Sequence, residues 1–150
     1  MKKFLIIAAV VFAGYTFSNG RHHATLSLAP SAIAEQSSGK SGATIAEAFA
    51  NHESGRQVSG EGVVIRLLPD DGNGSRHQRF ILKLPSNQKI LIAHNIDLAP
   101  RINALRVGDS VRFYGEYAWN AKGGVVHWTH RDLHGSHAAG WLEHQGQRYQ

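Results

Sequence analysis

Hydrophobic residues are spaced in three different ways along this chain. Residues 4–17 form a nearly unbroken apolar run behind two lysines, residues 21–43 show no sustained apolar period, and short apolar stretches alternate with turns from residue 44 onward. An apolar run of about 14 residues after a basic start is typical of a secretory signal, and it is short for a membrane span of about 20. We therefore predict a signal peptide or membrane anchor over residues 1–20, a flexible linker over residues 21–43 and one folded domain over residues 44–150.

The folded domain opens with a helical pattern and continues with five strand patterns. Thr44 and Glu47 have the spacing of a capping box, and the apolar period that follows predicts a short helix ending near residues 54–55. Short runs of β-branched and aromatic residues between turns that contain Gly, Pro or Asp predict strands. The predicted strands cover residues 63–68, 78–84, 89–94, 111–117 and 125–130.

The order of these strands indicates a barrel. Five strands with a longer interruption between the third and the fourth match the order of an OB-fold. Residues 140–149 follow as a predicted C-terminal hairpin. We predict a mainly β fold, a small five-stranded OB-fold-like barrel with a short N-terminal helix and a C-terminal hairpin.

The amino-acid composition limits which cellular compartment and which binding partners we expect for this protein. The chain contains no cysteine, which excludes disulfides, thiolate metal sites, thiol catalysis and a lipid-modified cysteine. Of the 16 Lys and Arg residues, three precede residue 35, so 13 remain against 11 Asp and Glu residues. This balance supports binding to nucleic acid only weakly. We expect a periplasmic or secreted monomer, or a domain anchored to the inner membrane, with membrane contact only through the N-terminal segment.

Histidines are concentrated near the C-terminus, where five of the ten fall between residues 127 and 144. Imidazole is the commonest metal ligand in proteins and titrates near neutral pH. If residues 129–133 are extended, alternate side chains share one face and offer nitrogen and oxygen ligands that suit zinc or another divalent metal. The same histidines could instead bond to backbone or aromatic neighbours, or transfer protons. The predicted metal ligands are His127, His130, Asp132, His134 and His137.

A second group of candidates lies at the ends of the second and third predicted strands. The short connection at residues 85–88 predicts a hairpin, which places the start of one strand beside the end of the other. Two histidines flanked by arginines at that point could hold an anion such as phosphate or a carboxylate, or could be solvated strand ends. The candidate residues are Arg76, His77, Arg79, His94 and Asn95.

Aromatic residues add a third candidate feature. Tyr114 alternates with apolar residues in the fourth predicted strand, so that one face of this strand is aromatic and basic. OB barrels use aromatic platforms to stack single-stranded nucleic acid or sugars. We therefore add Tyr114 and Trp128 to the predicted ligand-binding residues.

Four strings of this chain resemble a known family. GVVIRLLPDDGNGSRHQRFIL, LIAHNIDLAPRI, GDSVRFYGEYAWNAKGGVVHWTH and HGSHAAGW are similar to an uncharacterised bacterial family, the domain of unknown function 3465, over about residues 60–150. This resemblance implies no activity and no functional residue. A looser likeness to small exported OB-fold proteins linked to stress tolerance implies a binding module.

Three functional classes follow from these patterns. The preferred interpretation is an exported OB-fold-like binding protein of unknown ligand, with a histidine-rich C-terminal segment that binds a divalent metal such as zinc. The alternative is a metal-dependent hydrolase, a nuclease or phosphodiesterase, that uses the histidine cluster. A third class is an interaction protein whose C-terminal hairpin pairs with a partner. The chain has no GxSxG, P-loop or GxGxxG motif, and whether it is an enzyme stays open.

Overall fold

A computed structural model describes residues 44–150. The predicted signal or anchor and the predicted linker lie outside the described residues. The described part is mainly β, with a short helix, α1, over residues 44–50. No helix within it is long and apolar enough to cross a membrane. Its strands are β1 (Arg56–Asp71), β2 (His77–Lys83), β3 (Lys89–Asn95), β4 (Ser110–Ala118), β5 (Val125–His127), β6 (Trp141–His144) and β7 (Gln147–Tyr149).

Five of these strands close into a ring. The pairs are β1 with β2, β2 with β3, β3 with β5, β5 with β4, and β4 with β1, and only β3 with β5 is parallel. The length of β1 closes the ring, because residues 56–63 pair with β4 and residues 63–71 pair with β2. A register shift between Val64 and Arg66 bends β1 between its two partners. The barrel-like, mainly β architecture confirms the predicted fold class.

The side chains that point into the ring form the hydrophobic core. β2, β3 and β4 alternate between buried and more exposed residues, as strands do when one face covers a core. Ile45 and Ala48 of α1 are fully buried in the same core. Full burial of a side chain such as Phe80 or Leu82 stabilises the fold by about 1.5–3 kcal/mol. The core therefore fixes which face of each strand remains available for a site.

The first strand differs from its prediction. It begins at Arg56 rather than at residue 63, and it continues into the predicted turn as far as Asp71. Gly60 and Gly62 gave this segment the local pattern of a loop. In the ring, the missing side chain of Gly60 makes room for Phe113, since a Cβ at Gly60 would lie 2.7 Å from the ring atom Cζ. Pairing with β4 overrides the weak strand propensity of glycine.

The fifth predicted strand, residues 125–130, is wrong beyond His127. Trp128 takes a φ of 51°, and the chain leaves the sheet until Trp141. β6 then pairs with the same edge of β4 that β5 has just left. β5 and β6 are thus two parts of one strand position, separated by residues 128–140, hereafter the 128–140 loop. The predicted C-terminal hairpin is confirmed by β6 and β7, joined through Gln145 and Gly146 with φ of 51° and 78°.

Candidate functional site

The two ends of the 128–140 loop meet closely over β4. The Gly140 N–H donates a hydrogen bond of 2.8 Å to the His130 carbonyl oxygen. A Cβ at Gly140 would lie 2.0 Å from the Trp128 carbonyl oxygen, and a Cβ at Gly115 of β4 would lie 2.4 Å from that of His127. Glycine is therefore required at both positions, because the backbone itself occupies the space of a side chain. The loop is a closed excursion whose base is fixed on the sheet.

Asp132 organises the interior of this loop. Its Oδ1 accepts the His134 N–H at 2.8 Å, and its Oδ2 accepts the His137 N–H at 2.6 Å. These two bonds, that from His137 first, lower the pKa of the Asp132 carboxyl to about 2. Because residues 129–133 are not part of a strand, the expected alternation of His130, Asp132 and His134 along a strand face is wrong.

Trp128 is the centre of a group of rings at the base of the loop. The centroids of the Trp128 and His137 rings are 3.9 Å apart, and those of His127 and His130 each lie 5.6 Å from Trp128. Although an extended chain would point this residue inward, its left-handed φ turns it outward, and Trp128 is 37% exposed. A bulky residue in this region of φ is strained, and such strain is often found at functional sites.

His130 and His137 share a hydrogen-bond arrangement. The Nδ1–H of His130 donates to the Arg131 carbonyl oxygen at 2.8 Å, and the Nδ1–H of His137 donates to the Ala138 carbonyl oxygen at 2.8 Å. Since a carbonyl can only accept, each neutral ring carries its proton on Nδ1 and presents the Nε2 lone pair. The two rings meet edge to face with centroids 5.2 Å apart.

His94 supports the base of the loop from below. It is fully buried, with Nδ1 2.9 Å from the Thr129 hydroxyl and Nε2 3.1 Å from the Pro100 carbonyl oxygen. The carbonyl requires a proton on Nε2, so Nδ1 accepts the hydroxyl proton. Burial lowers the pKa of His94 from 6.5 to about 4. His94 is therefore a neutral structural residue at neutral pH, with both nitrogens occupied.

The loop and the segment after β3 enclose a cleft of about 360 Å³, hereafter the Trp128 cleft. Leu98 and Leu133 are 58% and 82% exposed at this cleft, and such apolar exposure is suited to contact with a ligand. Neither leucine was predicted, although Leu133, an apolar residue within the polar, histidine-rich loop, is a signal that could have been used. The cleft is lined by Leu98, Trp128, His130, Arg131, Asp132, Leu133, His134, Ser136, His137 and Gln150.

The residues at the ends of β2 and β3 do not form one site. His77 lies opposite Asn95, and His94 lies opposite Gln78, so the two histidines are one residue out of register and point to opposite faces. The expected histidine pair is therefore wrong. The Asn95 Oδ1 accepts the Asp97 N–H at 3.0 Å and so closes the turn after β3.

The two arginines of this group are already paired. The Nε of Arg76 is 2.8 Å from an oxygen of Asp97. Arg79 donates from Nε and Nη2 to the Pro69 carbonyl oxygen at 3.1 and 3.0 Å, and lies 3.6 Å from Asp71. These contacts connect neighbouring loops and strands. An anion would have to compete for both guanidinium groups.

Within residues 44–150, no group of three or more His, Asp or Glu side chains is arranged to hold a metal ion. Of the predicted ligands, His127 lies on the outer face of β5, with Nε2 3.7 Å from a Glu116 oxygen. Burial lowers the pKa of His127 despite this carboxylate. The structure brings His127, His130 and His137 around Trp128, as ring neighbours rather than as a convergent ligand set.

Tyr114 lies on the outer face of β4, away from the Trp128 cleft. It is opposite Trp141 in the pairing of β4 with β6, and the two ring centroids are 6.3 Å apart. Trp119 has a structural role, because its indole N–H donates to the Phe49 carbonyl oxygen at 3.1 Å. Trp119 is therefore separate from the candidate site, and Tyr114 does not line the Trp128 cleft.

Comparison with models of protein families identifies the family of this chain. The model of a family described as "Protein of unknown function (DUF3465)" matches residues 27–150. No curated protein matches the chain.

Proposed function

The chain belongs to the DUF3465 family of proteins of unknown function, and we propose that it is a binding module that holds a ring-shaped ligand against Trp128. The observation that carries this proposal is the exposed indole, which is kept outward by a left-handed φ and forms one wall of the cleft. A concave site with apolar walls and a few polar groups is the usual form of a ligand site.

The cleft carries one side-chain carboxylate, Asp132, and one guanidinium, Arg131, and this balance favours a ligand ring without net charge. Both oxygens of Asp132 accept backbone N–H groups, so this carboxylate is already used in holding the loop. The other groups that line the cleft include the Trp128 indole, the Arg131 guanidinium, the imidazole of His137, the nearly buried imidazole of His130, and the exposed leucines. These offer stacking, hydrogen-bond acceptance and apolar contact.

Tryptophan replacement tests this proposal. Monosaccharides, nucleosides and aromatic carboxylic acids are titrated into the protein while the Trp128 indole N–H resonance is followed by NMR. We expect at least one compound to shift this resonance. We also expect Trp128→Ala to weaken the binding of that compound, measured by calorimetry, at least about fivefold, since stacking on an aromatic ring is worth about 1–3 kcal/mol. Trp119→Phe, in a structural tryptophan, is the matched control. Binding that persists in Trp128→Ala, or no binding by any compound, refutes the proposal.

A second candidate function is metal binding, which the two-imidazole arrangement favours. The Nδ1–H bonds of His130 and His137 to backbone carbonyls are the arrangement that orients metal-ligating histidines. A divalent metal such as zinc held by these two Nε2 atoms would keep positions open for water or substrate. The metal-dependent nuclease or phosphodiesterase depends on such an ion.

Calorimetry with zinc tests the second candidate. The double variant His130→Ala/His137→Ala should lose zinc binding, whereas His52→Ala, beside Trp119 and outside the cleft, should retain it. Zinc affinity that is equal in the double variant and the wild type rejects the metal site and, with it, the hydrolase.

We also propose that the protein is exported. The apolar run behind two lysines supports this, and it leads either to a periplasmic or secreted domain or to retention at the inner membrane by an uncleaved segment. Cell fractionation with N-terminal sequencing of the isolated protein separates these outcomes. Recovery in the cytoplasm with an intact N-terminus contradicts export.

A further inference from the structure

A second aromatic surface lies on the outer face of β4 and β6. Trp141 is opposite Tyr114, and the Cζ atoms of two arginines lie close to its ring, that of Arg148 at 4.3 Å and that of Arg112 at 5.8 Å from the centroid. The side chains of Arg112 and Arg148 are 54% and 50% exposed, and one N–H of each donates to Glu143. This surface combines the Tyr114 ring and a Trp141 ring stacked with Arg148 with the remaining N–H groups of two half-exposed arginines.

This surface continues along β4 and β5 as far as His127, whose ring is a neighbour of Trp128 at the start of the 128–140 loop. Tyr114 and Glu116 alternate with buried residues of β4, so both point outward, about 7 Å apart. Glu116 lies 3.7 Å from His127, and the His127 ring is a neighbour of Trp128 at 5.6 Å. We call this line of Trp141, Tyr114, His127 and Trp128 the aromatic row. It is longer than a single ligand ring.

The charges beside the aromatic row are nearly balanced. Glu143 lies between the two arginines, with one oxygen 2.9 Å from Arg112 and the other 3.3 Å from Arg148. Glu116 adds a carboxylate next to His127. A polyphosphate such as a nucleic acid binds through Lys and Arg side chains that replace its counterions. Arg112 and Arg148 already share the Glu143 carboxylate, so this surface is poorly suited to such a ligand. An uncharged chain of sugar rings does not compete with Glu143 for the arginine charges.

We propose that the aromatic row binds an uncharged polysaccharide, with one sugar in the Trp128 cleft and a later sugar of the same chain at Tyr114 and Trp141. Sugar rings present apolar C–H faces to the aromatic residues, and their hydroxyls bond to the arginine–glutamate network. Barrels of the OB type bind oligosaccharides as well as oligonucleotides. This inference rests on the proposed function, because both use Trp128.

The test compares chain lengths by calorimetry on the protein as isolated from cells. The probes are the dimer and hexamer of β-1,4-linked glucose, the dimer and hexamer of β-1,4-linked N-acetylglucosamine, and a 12-nucleotide oligothymidylate. We expect a hexamer to bind at least about fivefold more tightly than its dimer, because a second stacking contact is worth about 1–3 kcal/mol. The oligothymidylate should bind more weakly than that hexamer.

Variants separate the two ends of the row. Trp141→Ala should reduce hexamer affinity to that of the dimer and leave the dimer unaffected, whereas Trp128→Ala should abolish both. Arg148→Ala, an exposed change that removes no core packing, should weaken only the hexamer and serves if Trp141→Ala does not fold. Trp119→Phe should bind as the wild type does.

Three results overturn the inference. Equal affinity for dimer and hexamer removes the second contact, and tighter, salt-dependent binding of the oligothymidylate identifies a nucleic-acid surface instead. If a small ring compound binds at Trp128 but neither hexamer does, the polysaccharide is refuted and the proposed function stands. If nothing binds at Trp128, both are refuted.

Discussion

Acid should destabilise this protein through one buried histidine. His94 is neutral in the folded state because Nε2–H donates to the Pro100 carbonyl oxygen while Nδ1 accepts the Thr129 hydroxyl. Its folded pKa is about 4, mainly because of burial, whereas an exposed histidine has a pKa of about 6.5. Between these values the unfolded chain takes up a proton at this position and the folded chain does not.

The sign and size of the effect follow from this difference. A group that binds fewer protons in the folded state lowers stability as the pH falls, so the contribution of His94 is intact above about pH 6.5 and is lost progressively toward pH 4. The full difference corresponds to about 3 kcal/mol in the free energy of unfolding. Because a domain of this size has roughly 5–15 kcal/mol of stability, the loss is large enough to measure.

Urea unfolding followed by circular dichroism from pH 7.5 to 4.5 tests this prediction. The lower limit is chosen because the lowered pKa values of carboxyls such as Asp97 and Asp109 act mainly below about pH 4.5. In His94→Gln, the amide can retain a donor and an acceptor without titrating, so the decline should be smaller by most of the 3 kcal/mol. His52→Gln is the exposed control and should decline as the wild type does.

Burial lowers the pKa of His127 in the same direction as that of His94. Both proteins contain His127, so its contribution cancels when the decline in unfolding free energy of His94→Gln is subtracted from that of the wild type. An equal decline in both proteins would show that His94 is not the source. A wild-type unfolding free energy that stays constant from pH 7.5 to 4.5 would contradict the neutral, buried state of His94.

Two substitutions test how the 128–140 loop is held. Gly140→Ala should destabilise the protein by about 1–3 kcal/mol in urea unfolding, because its Cβ would overlap the Trp128 carbonyl oxygen. Gly72→Ala is the control and should leave the stability unchanged, since no atom lies within 4 Å of its Cβ. Equal unfolding midpoints for the two variants would refute the close approach at Gly140. Asp132→Asn should speed amide hydrogen exchange at His137, because the Asn side chain has one acceptor oxygen where two N–H groups need partners. An unchanged exchange rate would show that the carboxylate does not hold the loop.

Local pattern predicts some elements of this fold well and others poorly. The alternation around Phe80 and Phe113 identified β2 and β4, because a period of two is sufficient to separate a buried from an exposed face. The same reasoning missed the first half of β1, where Gly60 and Gly62 have no side chains to show a period. Glycine at position 60 is explained by the ring of Phe113 across the sheet, and glycine at position 62 by the close approach of β2.

The candidate site shows the same division. The density of histidines indicated residues 127–137, and Trp128 was predicted as a binding residue. The metal geometry assumed that the strand continued to His130, whereas the chain turns away at Trp128 with a positive φ. No local pattern shows that turn, because it depends on how closely the loop ends pack over β4.

The sequence by itself determined the class of this protein: a mainly β domain with an aromatic, histidine-rich C-terminal segment and no cysteine. These properties depend on side-chain periodicity and composition, which are local. Only the tertiary structure decided which histidines meet, that His94 is buried and His77 is not, and that Trp128 faces outward. The reason is that register and loop closure depend on contacts between residues distant in the chain, where a shift of one residue moves a side chain to the opposite face.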